Sequence, residues 1–176
     1  MPWLNPPPTY MADGRTINAQ AGAQTDFWRK THNGELRDSG HFFYEAVTGD
    51  FVASVKVTGQ YAALYDQAGI MVRQDETTWI KCGIEFVNGV QMASAVVTRD
   101  YSDWSIRPLA NPTAIWLRVA RHGCTIEVYI SLDGQAFEMI RQAHLSDAPT
   151  LSVGVMFCAP MGRGFSVRFE DFAIQR

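Results

Sequence analysis

Glu85 and Lys81 stand four residues apart in TWIKCGIEF, residues 78–86, a stretch that alternates as a β-strand does. Positions i and i+4 of a strand share a face about 13 Å apart, so the two are not direct partners. Glu85 is expected to meet Arg73 or Arg118 from a neighbouring strand. A carboxyl on a sheet face can act as general acid or base, which makes Glu85 the best catalytic candidate. Glycoside hydrolysis generally takes two carboxylates, about 5–5.5 Å or about 6.5–9.5 Å apart. Asp66 and Asp103 could supply the second from loops, but no spacing in the sequence pairs either with Glu85. An ion pair is the better-supported role for Glu85.

The same alternation collects a wider set. Gln67, Met71, Arg73, Lys81, Glu85, Ser94, Thr98, Trp116 and Arg118 all fall opposite the apolar positions of their strands. If those strands are neighbours, the set forms a patch with a flat indole and several directional polar groups. A sugar needs both: a surface for its ring face and partners for its hydroxyls. Trp104 and Tyr101, in TRDYSDWSIRPLANP (residues 98–112), would line its rim. The competing reading is an ordinary solvated sheet face, with Arg and Lys stems lying over it and Trp116 packed under a loop.

Other chemistry has less support. His32, His41, His122 and His144 are scattered, and no G-x-S-x-G elbow is present. Cys82, Cys124 and Cys158 form no CxxC, and no His/Cys cluster has zinc spacing. Asp100 and Asp103 could hold Ca²⁺ with loop carbonyls, but capping a loop is the better-supported role. No Gly-rich phosphate loop opens a helix. Neither a metal nor a cofactor is expected.

The bulk properties set the frame. A chain of 176 residues, 47% hydrophobic and 19% charged, fits one folded domain spanning 1–176 with its own core. A net charge of −3 argues against a general nucleic-acid binder, which carries a basic stripe. No run suits a bilayer span, and MPWLNPPPTYMADG lacks the apolar centre of a signal peptide. Unpaired thiols favour a reducing compartment, so a soluble, cytoplasmic protein without membrane contact is expected.

Turn signals recur at Asp13-Gly14, Asn33-Gly34, Ser39-Gly40, Gly49-Asp50, Asn88-Gly89 and Asp133-Gly134, with short β-branched and aromatic runs between them. That spacing predicts an all-β sandwich or barrel. A two-residue turn at Asn88-Gly89 pairs Val87 with Val90, Glu85 with Met92, Gly83 with Ser94 and Lys81 with Val96. The alternate pairs, Ile84–Ala93, Cys82–Ala95 and Ile80–Val97, are uniformly apolar or small, so a one-residue slip would invert the sorting. A second hairpin at Asp133-Gly134 pairs Ile130 with Phe137 and Val128 with Met139, with Tyr129 facing Glu138. Further inward rows are Phe51, Ala53, Val55, Val57; Ile115, Leu117, Val119; and Val153, Val155, Phe157. RQAHLSDAP, residues 141–149, could form one short helical turn before its proline. Residues 98–112 are taken as a long loop.

TDFWRKTHNGELRDSGHFFYEAVTGDF, YDQAGIMVR, WIKCGIEFVNGVQ, VVTRDYSDWS and GFSVRFEDF together resemble the regulation-of-enolase family of unknown function, of the concanavalin A-like lectin/glucanase superfamily. The resemblance runs from about Trp3 to Phe172. It implies a jelly-roll sandwich of two antiparallel sheets, one of them concave. It does not imply one activity, since that fold hosts lectins, glycosidases and interaction domains alike. Two departures matter. Asn33 and Glu35 stand where an aromatic pair would flank Gly34, and the Glu-x-Asp-x-x-Glu arrangement of glucanase relatives is absent.

The leading reading is a non-catalytic binding domain for a carbohydrate-like ligand. Gln67, Arg73, Lys81, Glu85, Thr98, Trp104, Trp116 and Arg118 would form its site. One alternative is a protein-interaction or regulatory module acting on a metabolic enzyme, as the family name suggests; another is a glycosidase or lyase using Glu85.

Overall fold

Asn88 and Gly89 both adopt positive φ, 51° and 83°, and close the hairpin in the expected register. Val87 pairs with Val90, Gly83 with Ser94 and Lys81 with Val96. The apolar partners Ile80, Cys82, Ile84, Ala93, Ala95 and Val97 are all buried. Side-chain sorting and turn chemistry therefore select one register between them.

The computed structural model describes residues 1–176. Its strands are β1 (Trp3–Leu4), β2 (Thr9–Asp13), β3 (Thr16–Gln20), β4 (Phe27–Arg29), β5 (Leu36–Asp38), β6 (His41–Thr48), β7 (Phe51–Gly59) and β8 (Gln67–Arg73). They continue as β9 (Thr78–Val87), β10 (Val90–Arg99), β11 (Tyr101–Pro108), β12 (Ile115–His122), β13 (Thr125–Ser131), β14 (Glu138–His144), β15 (Thr150–Cys158) and β16 (Ser166–Gln175). The first large sheet has the order β1-β6-β15-β8-β9-β10-β11, and the second β14-β13-β12-β7-β16-β3-β2. Every pairing within them is antiparallel. The two sheets form the jelly-roll sandwich of the concanavalin A-like class, and the outer face of the first sheet is termed its concave face.

The core lies between the sheets. Ile70, Val72, Ile80, Ile84, Val153 and Val155 from the first meet Ala53, Val55, Leu117, Val119, Val128 and Phe169 from the second in one continuous apolar cluster. Each fully buried Val, Leu, Ile or Phe contributes about 1.5–3 kcal/mol of transfer free energy. That term holds the sheets together without a disulfide; Cys82, Cys124 and Cys158 are all free.

Three sequence expectations are corrected. Residues 98–112 are not one long loop. The chain reverses at Asp100 (φ 63°) and returns as β11, with Thr98 opposite Ser102 and Val96 opposite Trp104. The Asp133-Gly134 hairpin has a different register: Ile130 pairs with Glu138, Tyr129 with Met139 and Val128 with Arg141. Asp133 Oδ1 accepts the Gln135 and Ala136 N–H groups, and Ser131 Oγ accepts that of Gly134, so a capped loop replaces the tight turn. The register also slips between Val128 and Tyr129. Finally, residues 141–144 belong to β14, whose backbone groups pair with β13, and no helical turn forms there.

A third, two-stranded ribbon of β4 and β5 lies across the concave face. Its Phe27 is fully buried in a second apolar cluster with Phe42, Met71, Trp79, Val96, Met156 and Cys158. All of these come from the face of the first sheet turned away from the main core. Both faces of this sheet are therefore covered at β8, which explains why every residue of that strand is buried.

Candidate functional site

The concave face can be read row by row from the strand register. One row runs Met156, Gly69, Gly83, Ser94, Ile106; the next runs Gly154, Met71, Lys81, Val96, Trp104. Gln67 lies opposite Glu85 and Arg73 opposite Trp79. At Gly83 (φ 151°) an added Cβ would stand 2.1 Å from the Ala68 carbonyl oxygen, so only glycine fits. The bare backbone there leaves a gap between bulkier neighbours.

Half of the polar set holds the ribbon down. Arg73 donates to both carboxylate oxygens of Asp38, at 2.6 and 2.9 Å, a bidentate pair that fastens the end of β5 to β8. Lys81 Nζ donates to the Phe27 carbonyl at 2.6 Å and lies 3.4 Å from Asp26 Oδ1. Thr98 and Ser102 share a hydroxyl hydrogen bond of 2.8 Å, and Ser102 Oγ accepts the Arg29 backbone N–H. Arg29 and Lys30 both pair with Asp100. A buried cation is tolerated only with such partners, and apart from the Thr98–Ser102 pair each of these links joins residues at least 35 apart in the chain.

The other half surrounds a pit. Gln67, Lys81, Gly83, Glu85, Ser94 and Met156 line a cavity of about 10 Å³, the size of a single water. Glu85 Oε2 accepts Ser94 Oγ–H at 2.7 Å and the Trp104 indole N–H at 2.7 Å. Its Oε1 receives no protein hydrogen bond. Gln67 gives its amide N–H to the Tyr65 carbonyl at 3.2 Å and approaches Asp26 at 3.5 Å. Tyr65 meets the Trp104 ring edge-on, with centroids 6.1 Å apart. Trp104 is 40% exposed, so it links the buried carboxyl to the surface.

Burial pushes the Glu85 carboxyl above the ordinary glutamate range. Lys81, the Ser94 hydroxyl and the Trp104 indole pull it back, and Asp26 adds to the rise. The group therefore holds its proton to a higher pH than a solvated glutamate.

Of the residues grouped by the sequence, Gln67, Arg73, Lys81, Glu85, Thr98 and Trp104 do share this face. Trp116 and Arg118 do not. They project from β12, which pairs with β7 and β13 in the second sheet. Trp116 packs beneath Lys56 Nζ, 5.5 Å from its ring centroid, and Arg118 stacks 4.0 Å over Phe137. Alternation within β12 correctly turned Ile115 and Leu117 inward, but it does not encode which sheet the strand joins. The expected pairing of Glu85 with Arg73 or Arg118 is likewise replaced by hydrogen bonds from Ser94 and Trp104. Asp66 is spent capping the Ala62 and Ala63 N–H groups, and Asp103 is exposed. Neither stands with Glu85 as a second carboxylate. Asp26, Asp38 and Tyr65 were missed: their partners lie up to 55 residues away, and no local pattern marks them.

The double-sheet architecture with a roofed concave face defines a concanavalin A-like sandwich domain. The chain belongs to the family described as "Protein of unknown function (DUF1349)", whose profile matches residues 3–176. It is 38% identical over 173 residues to "Regulation of enolase protein 1" of Saccharomyces cerevisiae, covering 98% of this chain and 87% of that one. A crystal structure of a functionally unknown protein from S. cerevisiae superposes with a TM-score of 0.95 at 37% identity, covering 99% of this chain and 95% of the other. The carbohydrate binding module CBM66 from Bacillus subtilis matches with a TM-score of 0.62 at 10% identity, over 99% and 95% of the two chains. At that identity the likeness concerns the fold alone.

Proposed function

We propose that this chain is a non-catalytic binding domain whose site is the open end of the concave face, formed by Tyr65, Gln67, Glu85, Ser94 and Trp104. One observation carries the reading. Glu85 is fixed by two donors on one oxygen, while the other oxygen, without a protein partner, belongs to a residue lining a small pit beside a partly exposed indole. That arrangement suits a small polyhydroxylated ligand: a hydroxyl donates to the carboxyl, and an apolar ring face rests on Trp104 and Tyr65. Arg73, Lys81 and Thr98 support the site by holding the β4–β5 ribbon. The ribbon roofs much of the face, which favours a short ligand over a long polymer.

A second reading is supported by the relative's name: the same open end contacts a protein, and the domain is a regulatory module. Titrating the protein with a panel of neutral sugars and polyols, followed by Trp fluorescence and calorimetry, tests the first reading. Binding that is lost in both Trp104→Ala and Glu85→Gln is the expected result. No heat and no fluorescence change up to millimolar ligand would remove the small-ligand reading. A stoichiometric protein partner that requires Trp104 would support the second.

A further inference from the structure

Cys124, His144 and Asp147 are separated by up to 23 residues in sequence, yet their ligand atoms all lie within 4.8 Å of one another. Cys124 occupies the two-residue turn between β12 and β13. His144 ends β14, opposite Thr125, and Asp147 follows in the connection to β15. We propose that these three side chains form a binding site for a divalent metal ion of the zinc class.

The donor chemistry selects that class. A thiolate, an imidazole and a carboxylate together suit a borderline-soft ion, whereas Mg²⁺ or Ca²⁺ would call for oxygen donors alone. Zinc bonds of about 2.0–2.3 Å in tetrahedral geometry put ligand atoms roughly 3.3–3.6 Å apart. His144 Nε2 already stands 3.8 Å from Asp147 Oδ2, so a small rotation of exposed side chains completes the set. Thiolate and carboxylate would neutralise the dication, leaving a fourth position for water or an outside ligand.

The backbone that carries the donors is already held together. The buried Arg121 donates from Nε to the Gly123 carbonyl at 2.7 Å, from Nη2 to the Ala148 carbonyl at 2.5 Å and from Nη1 to the Pro149 carbonyl at 3.3 Å. Leu145 N–H bonds to the Cys124 carbonyl at 2.9 Å. One guanidinium thus ties the turn bearing Cys124 to the segment bearing Asp147. Arg99 opposes the ion: its Nη1 lies 3.4 Å from His144 Nδ1. Its positive charge repels a cation, and its hydrogen bond asks for a lone pair on Nδ1, where metal ligation through Nε2 wants an N–H.

Zn²⁺ and Co²⁺ titrations of the untagged, metal-free protein test the proposal, with calorimetry for stoichiometry and Co²⁺ absorption for thiolate ligation. One equivalent with a sulfur-to-cobalt charge-transfer band is expected. Cys124→Ser should abolish the band, and His144→Ala should weaken binding by more than the roughly 10–100-fold typical of losing a supporting hydrogen bond. Arg99→Gln should tighten binding severalfold. All three substitutions lie on the surface or in a turn, and circular dichroism checks that the fold persists. The proposal fails if no ion binds at millimolar concentration. It also fails if binding survives both Cys124→Ser and His144→Ala unchanged.

Discussion

The Trp104 indole on β11 donates to Glu85 Oε2 on β9 at 2.7 Å, reaching across the intervening β10, whose Ser94 hydroxyl donates to the same oxygen. A buried carboxyl is thereby linked to a surface ring, so its protonation can be read from outside.

Trp104 fluorescence is expected to titrate with Glu85 at a pH above the ordinary glutamate value of 4.5, and the transition should vanish in Glu85→Gln. Lys81→Met should move it higher still, because the ammonium favours the ionised form. The folded-state value is raised. Glu85 therefore contributes stability that is present below about pH 4.5 and is lost as pH rises through the folded value. Urea midpoints measured from pH 4 upward should fall for the wild type relative to Glu85→Gln; parallel curves would contradict this.

Asp38→Ala is expected to cost about 1–3 kcal/mol, toward the lower end because Asp38 is partly solvated. The substitution strands the buried Arg73 guanidinium and frees one end of the β4–β5 ribbon. Limited proteolysis should then cut within residues 26–38 before any other site; an unchanged cleavage order would show that the ribbon is held by Phe27 instead.

The three thiols should differ in reactivity. Burial pushes the Cys82 thiol up to about 12 and Cys158 well above its ordinary value, while Cys124 is only half-buried. A thiol reagent at neutral pH should modify one cysteine in the native protein and three after denaturation. Mass spectrometry locates the first adduct, expected on Cys124.

His41 accepts the Gly22 N–H on Nε2 and donates from Nδ1 to the Asn5 carbonyl, which requires a neutral ring. Burial lowers its value from 6.5. With the folded value depressed, the stability it contributes is present above pH 6.5 and is lost as pH falls through the folded value. Denaturation midpoints from pH 7 to 5 should decline more steeply in the wild type than in His41→Gln.

Much of the sandwich was legible because it rests on local rules. The register of residues 78–99 followed from a turn dipeptide and an alternation of period two, and both survive in the structure. The Asp133-Gly134 register was misread because Asp133 and Ser131 take up backbone N–H groups that a tight turn would have left for pairing. Six of the eight expected ligand-binding residues share one face, since the adjacent strands β8, β9, β10 and β11 carry them; Trp116 and Arg118 separate because β12 joins the other sheet.

The sequence by itself determined which residues of each strand turn inward, and hence an all-β chain with two sorted faces. Only the tertiary structure decided that the polar face of the first sheet lies under the β4–β5 ribbon, that Glu85 binds Trp104, and that Cys124, His144 and Asp147 meet. The reason is physical: alternation is set by backbone geometry over two residues, whereas strand order and ribbon docking depend on apolar surface buried between segments far apart in the chain. No short pattern records that sum.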